Sequence, residues 1–310
     1  MRVSRPRWRR LGAVAGGFVV GLVCVGVAWA TPLTPQPVVT AKGRQFEPAA
    51  TPAGANVAYD QSRPGHPTQF DVYVKPTGLA RYKVNKRGQA EAGGIDGTTL
   101  IYQSIRNGQS NLRLFDLVSH VRSTPAGVNT RKWEYRASIS GDWILFGRAW
   151  GSHPTNYQVV LHNTNTTAET RVLAELINRR HSQLDAGQVN GDFATWDQVN
   201  FHTSSTNVFL YQISKRAKRK IPEPSGKLQY YPAVTPTGNV FYVRSGRGCG
   251  NHVVLREYSS VTDTQLAKMP SGYDVFKMFA VDEGSGVTSL YFDRYQCSTA
   301  KSHIYKLTVS

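Results

Sequence analysis

The sequence predicts an all-β protein, a six-bladed β-propeller of four-stranded blades over residues 37–310, closed by an N-terminal strand that completes the last blade. Three observations carry this. Six segments, 47–54, 90–97, 134–141, 184–191, 231–238 and 279–286, line up on a closing glycine, at intervals of 43, 44, 50, 47 and 48 residues. Five positions after the glycine stands an aromatic in five cases, Tyr59, Tyr102, Phe146, Trp196 and Tyr291, and Tyr242 comes one position early. Each aromatic is followed by a polar Gly/Ser/Asn loop and then an alternating segment such as Phe70-Asp71-Val72-Tyr73, Leu112-Arg113-Leu114-Phe115 or Val208-Phe209-Leu210-Tyr211, which reads as a half-buried strand.

Residues 1–30 precede the ring and read as an export signal. Arg2, Arg5, Arg7, Arg9 and Arg10 lead into an uncharged stretch at 11–30 that ends in Ala28-Trp29-Ala30, a small-x-small cleavage pattern. The stretch exceeds the roughly 7–15 residues of a usual signal core, so an uncleaved membrane anchor at residues 11–30 is the alternative. Val23 before Cys24 argues against a lipoprotein signal, and Arg9-Arg10 lacks the rest of a twin-arginine pattern. The expected location is therefore exported, secreted or associated with the cell envelope.

Residues 31–36 are a Pro-rich lead-in. In each repeat a glycine-terminated inner strand, an aromatic strand and an alternating strand succeed one another, and a further strand such as 170–173 follows the turn at 164–167. The last repeat has only two strands after Gly286, at 289–293 and 303–309, and lacks its outer one. Residues 38–44 have no blade of their own, so they close the ring and cover edges that would otherwise pair with other chains.

The residues resemble the TolB-type propeller repeat, best in Tyr59-Asp60-Gln61-Ser62-Arg63-Pro64-Gly65 leading to Val72-Tyr73, and in Tyr102-Gln103-Ser104-Ile105-Arg106-Asn107-Gly108 leading to Leu114-Phe115-Asp116. The Ser-Pro-Asp-Gly that ends the innermost strand in that pattern survives in part, as Thr235-Pro236-Thr237-Gly238 and Ser138-Ile139-Ser140-Gly141. The resemblance implies an exported bacterial propeller and leaves the partner open.

Composition is consistent with one large core: 40% apolar and 11% aromatic residues exclude a disordered chain. Net charge is +17, and removing residues 1–30 leaves +12 over 280 residues. That balance favours anionic partners. The mature chain keeps two cysteines, Cys249 and Cys297, at equivalent points of neighbouring blades. In an oxidising compartment they are expected to form a disulfide.

The loops after the second strands read as the most decorated segments. Arg63, Arg106, Arg148, Arg244 and Arg294 follow the second strand in five of six blades, with Trp150, Arg247, Phe201 and Tyr295 nearby. Such a ring suits phosphate, carboxylate or sulfate groups, which a guanidinium grips bidentately. The same arginines are placed to brace blade backbones. Lys215-Arg216-Ala217-Lys218-Arg219-Lys220 is a dense basic turn expected on the opposite face, attractive to polyanions or simply solvated.

His66, His153, His202, His252 and His303 lie in or beside loops without ligand spacing, so no metal or cofactor is expected. No G-x-S-x-G occurs. Asp60, Asp197, Glu257 and Asp293 lie near strand ends, where Asp197 and Asp293 read as hairpin caps. The expectation is a monomeric, non-enzymatic binding or scaffold propeller that contacts a protein or an anionic envelope polymer, with no nucleic-acid role and no catalytic residue assigned. The alternative is a hydrolase or lyase acting on carbohydrate or lactone at the channel mouth. Inward-facing carboxylates of perturbed acidity mark the enzyme, and an arginine- and aromatic-rich, acid-poor face marks the binder.

Overall fold

The computed structural model describes residues 33–86, 88–151, 155–166 and 169–310. The export signal at 1–30, His153 and Thr167 of the 164–167 turn therefore lie outside the described residues. Strand β1 is Gln36–Val39. Blade 1 is β2 (Gln45–Ala50), β3 (Asn56–Arg63), β4 (His66–Pro76) and β5 (Tyr82–Lys83). Blade 2 is β6 (Gln89–Asp96), β7 (Thr99–Arg106), β8 (Gln109–Asp116) and β9 (Arg122–Ser123). Blade 3 is β10 (Trp133–Ser140), β11 (Trp143–Trp150), β12 (Asn156–Asn163) and β13 (Thr170–Leu176). Blade 4 is β14 (Ser182–Asn190), β15 (Phe193–Asn200), β16 (Ser205–Gln212) and β17 (Ala217–Lys220). Blade 5 is β18 (Leu228–Val234), β19 (Val240–Ser245), β20 (Val254–Ser259) and β21 (Thr262–Lys268). In blade 6 the inner strand is split into β22 (Tyr273–Asp274) and β23 (Met278–Gly284), followed by β24 (Val287–Gln296) and β25 (Lys301–Val309).

All pairings are antiparallel, and β1 pairs with β25 as the outer strand of blade 6. The ring is thus closed by an N-terminal strand, which begins at Gln36, within the lead-in, rather than at residue 38. Residues 40–44 are the connection to β2.

The repeated aromatics explain the packing. Tyr59, Tyr102, Phe146, Trp196, Tyr242 and Tyr291 all sit on second strands and are almost wholly buried. Large rings at these positions fill the space between neighbouring blades, and each blade is held by apolar contacts with the next. Among the described residues no helix is long and apolar enough to cross a membrane.

Every inner strand carries one extra residue. Pairing jumps from Phe46 to Ala49, Ala92 to Ile95, Tyr135 to Ser138, Ala186 to Val189 and Tyr230 to Ala233, three steps against two on the partner strand. In blade 6 the interruption falls between β22 and β23. A bulge re-aims the side chains beside it. Glu47, Arg136 and Tyr231 stand at these bulges with φ of 52°, 46° and 54°. At Gly187 and Gly93 the strand runs against its neighbour so closely that a Cβ would lie 2.4 Å from the Pro232 carbonyl oxygen and 2.5 Å from that of Ala137. Only glycine fits there.

Candidate functional site: the channel mouth

The bulges gather charge on the axis of the ring. Lys277 Nζ lies 2.5 Å from Glu47 Oε2 and reaches toward the Ala92 carbonyl at 3.4 Å. The Arg136 guanidinium bridges Glu47 at 4.0 Å and Asp185 at 3.7 Å. One chain of charges thereby ties blades 6, 1, 3 and 4. Asp197 Oδ2 accepts the Tyr231 backbone N–H at 2.7 Å, Asp60 accepts that of Ala92, and Asp293 accepts that of Lys277 at 2.7 Å. These aspartates lie within second strands and hold inner-strand backbone, so Asp197 and Asp293 are not the hairpin caps expected.

Burial raises the pKa values of these groups because a charged carboxylate loses its water. Asp197 is pushed up to about 8, by burial first and then by the Asp185 carboxylate. Asp60 and Asp293 rise well above the usual range through burial and the Glu47 charge, and Glu91 rises for the same reasons.

Above this floor opens a cavity of about 400 Å³ lined by Asp185, Asp197, Asp274, Tyr230, Tyr231 and Phe276, with Arg136 and Phe201 at its walls. Phe46, Phe70, Phe276, Tyr295 and Tyr231 continue it as a collar of rings whose centroids lie 5.0–6.1 Å apart. The Asp197 Oδ1 is buried without a hydrogen-bond partner, and Phe201 is 59% exposed. Asp274, the Arg136-paired Asp185, the protonated Asp197 and several rings make a site for cationic or polar groups carried on apolar surface.

The arginines singled out in the sequence are placed differently. Arg63, Arg106, Arg148, Arg244 and Arg294 belong to β3, β7, β11, β19 and β24 themselves, not to the loops that follow. Where all their residues are described, those loops are two residues long after β3 and β7, four after β15 and β24, and eight between β19 and β20. Arg63 pairs with Asp71 at 2.7 Å, Arg148 with the buried Glu134 at 3.1 Å, and Arg244 with Asp263 at 2.5 Å. Arg294 donates to the Tyr305 hydroxyl at 2.5 Å and lies over its ring. Arg106 and Arg247 are exposed, Lys132 sits over Trp150 at 3.7 Å, and Tyr295 joins the collar. The basic run is exposed throughout, but it is a turn only at Lys215 and Arg216, at the other end of the ring from the second-to-third-strand loops; Ala217 to Lys220 form the outer strand β17. Arg219 lies over Tyr258, and Lys220 approaches Glu223 at 3.9 Å. His66, His202 and His252 are exposed, and His303 Nδ1 is 2.8 Å from Gln45 Oε1. Among the described residues no three His, Cys, Asp or Glu side chains are grouped to hold a metal ion.

Cys249 and Cys297 form a disulfide that joins the β19–β20 loop to the β24–β25 loop. Sequence reasoning missed Glu47, Arg136, Asp185, Tyr231 and Lys277. The signal was the bulge, which breaks the alternation of each inner strand and has no motif of its own.

A ring of six antiparallel four-stranded blades with a charged axis and an aromatic mouth defines a six-bladed propeller of the TolB-like fold. Among solved structures it is similar to TolB from Acinetobacter baumannii, with a TM-score of 0.55 and 14% identity over 83% of this chain and 64% of that one. It is likewise similar to an oligogalacturonate lyase from Vibrio parahaemolyticus, with a TM-score of 0.51 and 10% identity over 88% of this chain and 85% of that one. An acylaminoacyl peptidase from Pyrococcus horikoshii gives a TM-score of 0.53 and 11% identity over 85% of this chain and 44% of the peptidase. The chain thus spans less than two thirds of the length of the TolB and peptidase chains. No family model and no curated protein matches the sequence. At such identities the likeness is one of fold, and this fold serves binding proteins and enzymes alike.

Proposed function

We propose that the chain is an exported, non-enzymatic binding propeller whose loop face takes a protein partner at the channel mouth. The observation that carries this reading is the roughly 400 Å³ mouth, where aromatic rings surround Asp185, Asp197 and Asp274. An extended segment bearing a Lys or Arg side chain satisfies both the rings and the carboxylates. Four of the five ring arginines are engaged within the protein, so the acidic mouth, not an arginine ring, sets the polarity of the partner. Export is supported by the signal pattern at 1–30 and by the disulfide, which persists in oxidising compartments.

Binding of a panel of extended basic peptides to the mature chain, followed by fluorescence anisotropy, tests the reading. The variant Phe201→Ala/Asp274→Asn changes an exposed ring and a rim carboxylate and should bind about tenfold or more weakly. No binding by any peptide, or equal binding by the variant, rejects it.

A second reading, an enzyme acting on carbohydrate, is favoured by the inward-facing carboxylic acids of raised pKa, the mark expected of an enzyme, whereas the aromatic mouth lacks the arginine-rich, acid-poor character expected of a binder. Asp197, held protonated near neutral pH beside Asp185, has the acidity a general acid requires. Turnover of an oligosaccharide that disappears in Asp197→Asn would replace binding by catalysis.

A further inference from the structure

A second cavity, of about 760 Å³, opens where the ring is sewn shut. It is walled by residues 40–44, by the β3–β4 loop and by the β24–β25 loop, so it exists only where β1 has delivered the chain from blade 6 to blade 1. Five cations line it, Lys42, Arg44, Arg63, Arg81 and Lys301, together with His303, and no Asp or Glu does.

Two of the cations are already engaged: Arg63 pairs with Asp71, and Arg81 donates to Gln61 and to the Tyr59 hydroxyl. The side chains of Lys42, Arg44 and Lys301 enter no hydrogen bond or ion pair among the described residues. Their backbone, by contrast, is firmly held. Gln45 Nε2 donates to the carbonyls of Ala41 at 2.6 Å and Gly43 at 2.7 Å, Gln61 Nε2 donates to that of Lys42 at 2.9 Å, and the Arg44 N–H donates to Ser62 Oγ at 3.0 Å. Arg63 Nε adds a buried donor without an acceptor. Three unpaired cations on a fixed frame, with no acid among them, repel one another until an anion enters. His303 has its pKa lowered by burial and by Arg294 and Lys301, as expected beside uncompensated positive charge.

We propose that this seam cavity is a phosphoryl-binding site that takes a small phosphate ester. A phosphate monoester carries nearly two negative charges at neutral pH and three acceptor oxygens, which matches three free cations better than the single charge of a carboxylate. The volume lies within the range of small-molecule sites. The site is independent of the channel mouth, whose carboxylates would exclude the same ligand.

Titration calorimetry of the mature chain with glycerol 3-phosphate, with malonate as a dianion lacking phosphorus, and with poly(glycerol phosphate) tests the proposal. Glycerol 3-phosphate should bind saturably, about tenfold tighter than malonate. Lys42→Gln/Lys301→Gln should lose about tenfold or more, while a Lys218→Gln control on the distant strand β17 binds like the parent. A thermal melt shows that each variant is folded. Saturation by the polymer alone, whose phosphodiesters carry one charge each, overturns the small-monoester proposal. Absence of saturable binding by both phosphate probes, equal affinity for malonate, or unchanged binding by the double variant overturns the proposal.

Discussion

The channel mouth and the seam cavity open at the same end of the ring and carry opposite charge. In the mouth, Lys277 and Glu47 are buried and joined, and Arg136 is shared between carboxylates of two other blades. In the seam, Lys42 and Lys301 are exposed and free. The difference separates charge that holds the fold from charge available to a ligand. A net positive chain can therefore carry acids at its mouth: Glu47, Asp60, Asp185, Asp197 and Asp293 stand on the axis, where bulged inner strands need their donors and cations answered.

The contrast is broken most forcefully at Lys277. Lys277→Ala leaves Glu47 buried against other carboxylates, and should cost about 3–5 kcal/mol of stability, measured by urea unfolding. A loss as small as that of a surface lysine would mean that the axis charges are not structural.

The disulfide sharpens the comparison because it touches both sites. Gly248 beside Cys249 lines the mouth, and Thr299, Ala300 and Lys301 beyond Cys297 line the seam. Cys249→Ser/Cys297→Ser removes a cross-link over a separation of 48 residues and should cost about 2–4 kcal/mol, seen as a lower Tm. Hydrogen exchange should rise in both loops together; a rise confined to one would uncouple them.

Asp197 gives a smaller effect that depends on pH. Its folded pKa is about 8, above the ordinary carboxylate range, so the folded state holds a proton that the unfolded chain releases. Its contribution is fully present at acidic pH and is lost as pH rises through about 8, at a slope of about 1 kcal/mol per pH unit at its steepest. Asp197→Asn should flatten the decline of unfolding free energy with rising pH, since an amide oxygen still accepts the Tyr231 N–H. An unchanged slope would assign the titration to Asp60 or Asp293.

The smallest effect belongs to the seam. Lys42→Ala and Lys301→Ala should each change stability by less than about 0.5 kcal/mol in chemical denaturation without added ligand, as expected of exposed, unpaired side chains. A cost like that of Lys277→Ala would erase the distinction between the two cavities.

The ring was legible because its signals are local: a turn glycine, an aromatic on the second strand, alternation on the third. The closing strand was legible as well, because blade 6 visibly lacked an outer strand. The mouth was not. Counting back from the turn glycines places Glu47 and Tyr231 in one register but misses Gly93, Arg136 and Gly187 by two or three positions. The turns between first and second strands differ in length, two residues after β6, β10 and β14 and five after β2 and β18, and that difference hides the bulge. The arginines were visible as a series, yet their acceptors Asp71, Glu134 and Asp263 lie on strands whose pairing only the fold reveals.

The N-terminal closing strand also sets an order of assembly. Gln36 lies opposite Lys306, so the contact that closes the ring joins segments some 270 residues apart. The entropy of bringing such distant ends together grows only slowly with length, but the search for so remote a partner is slow. A chain delivered N-terminus first carries β1 unpaired until β25 arrives, and five blades can stack before the ring exists. The seam cavity is then the last part of the molecule to appear, and occupancy of it would report, in a refolding experiment, the moment at which an open stack of blades becomes a circle.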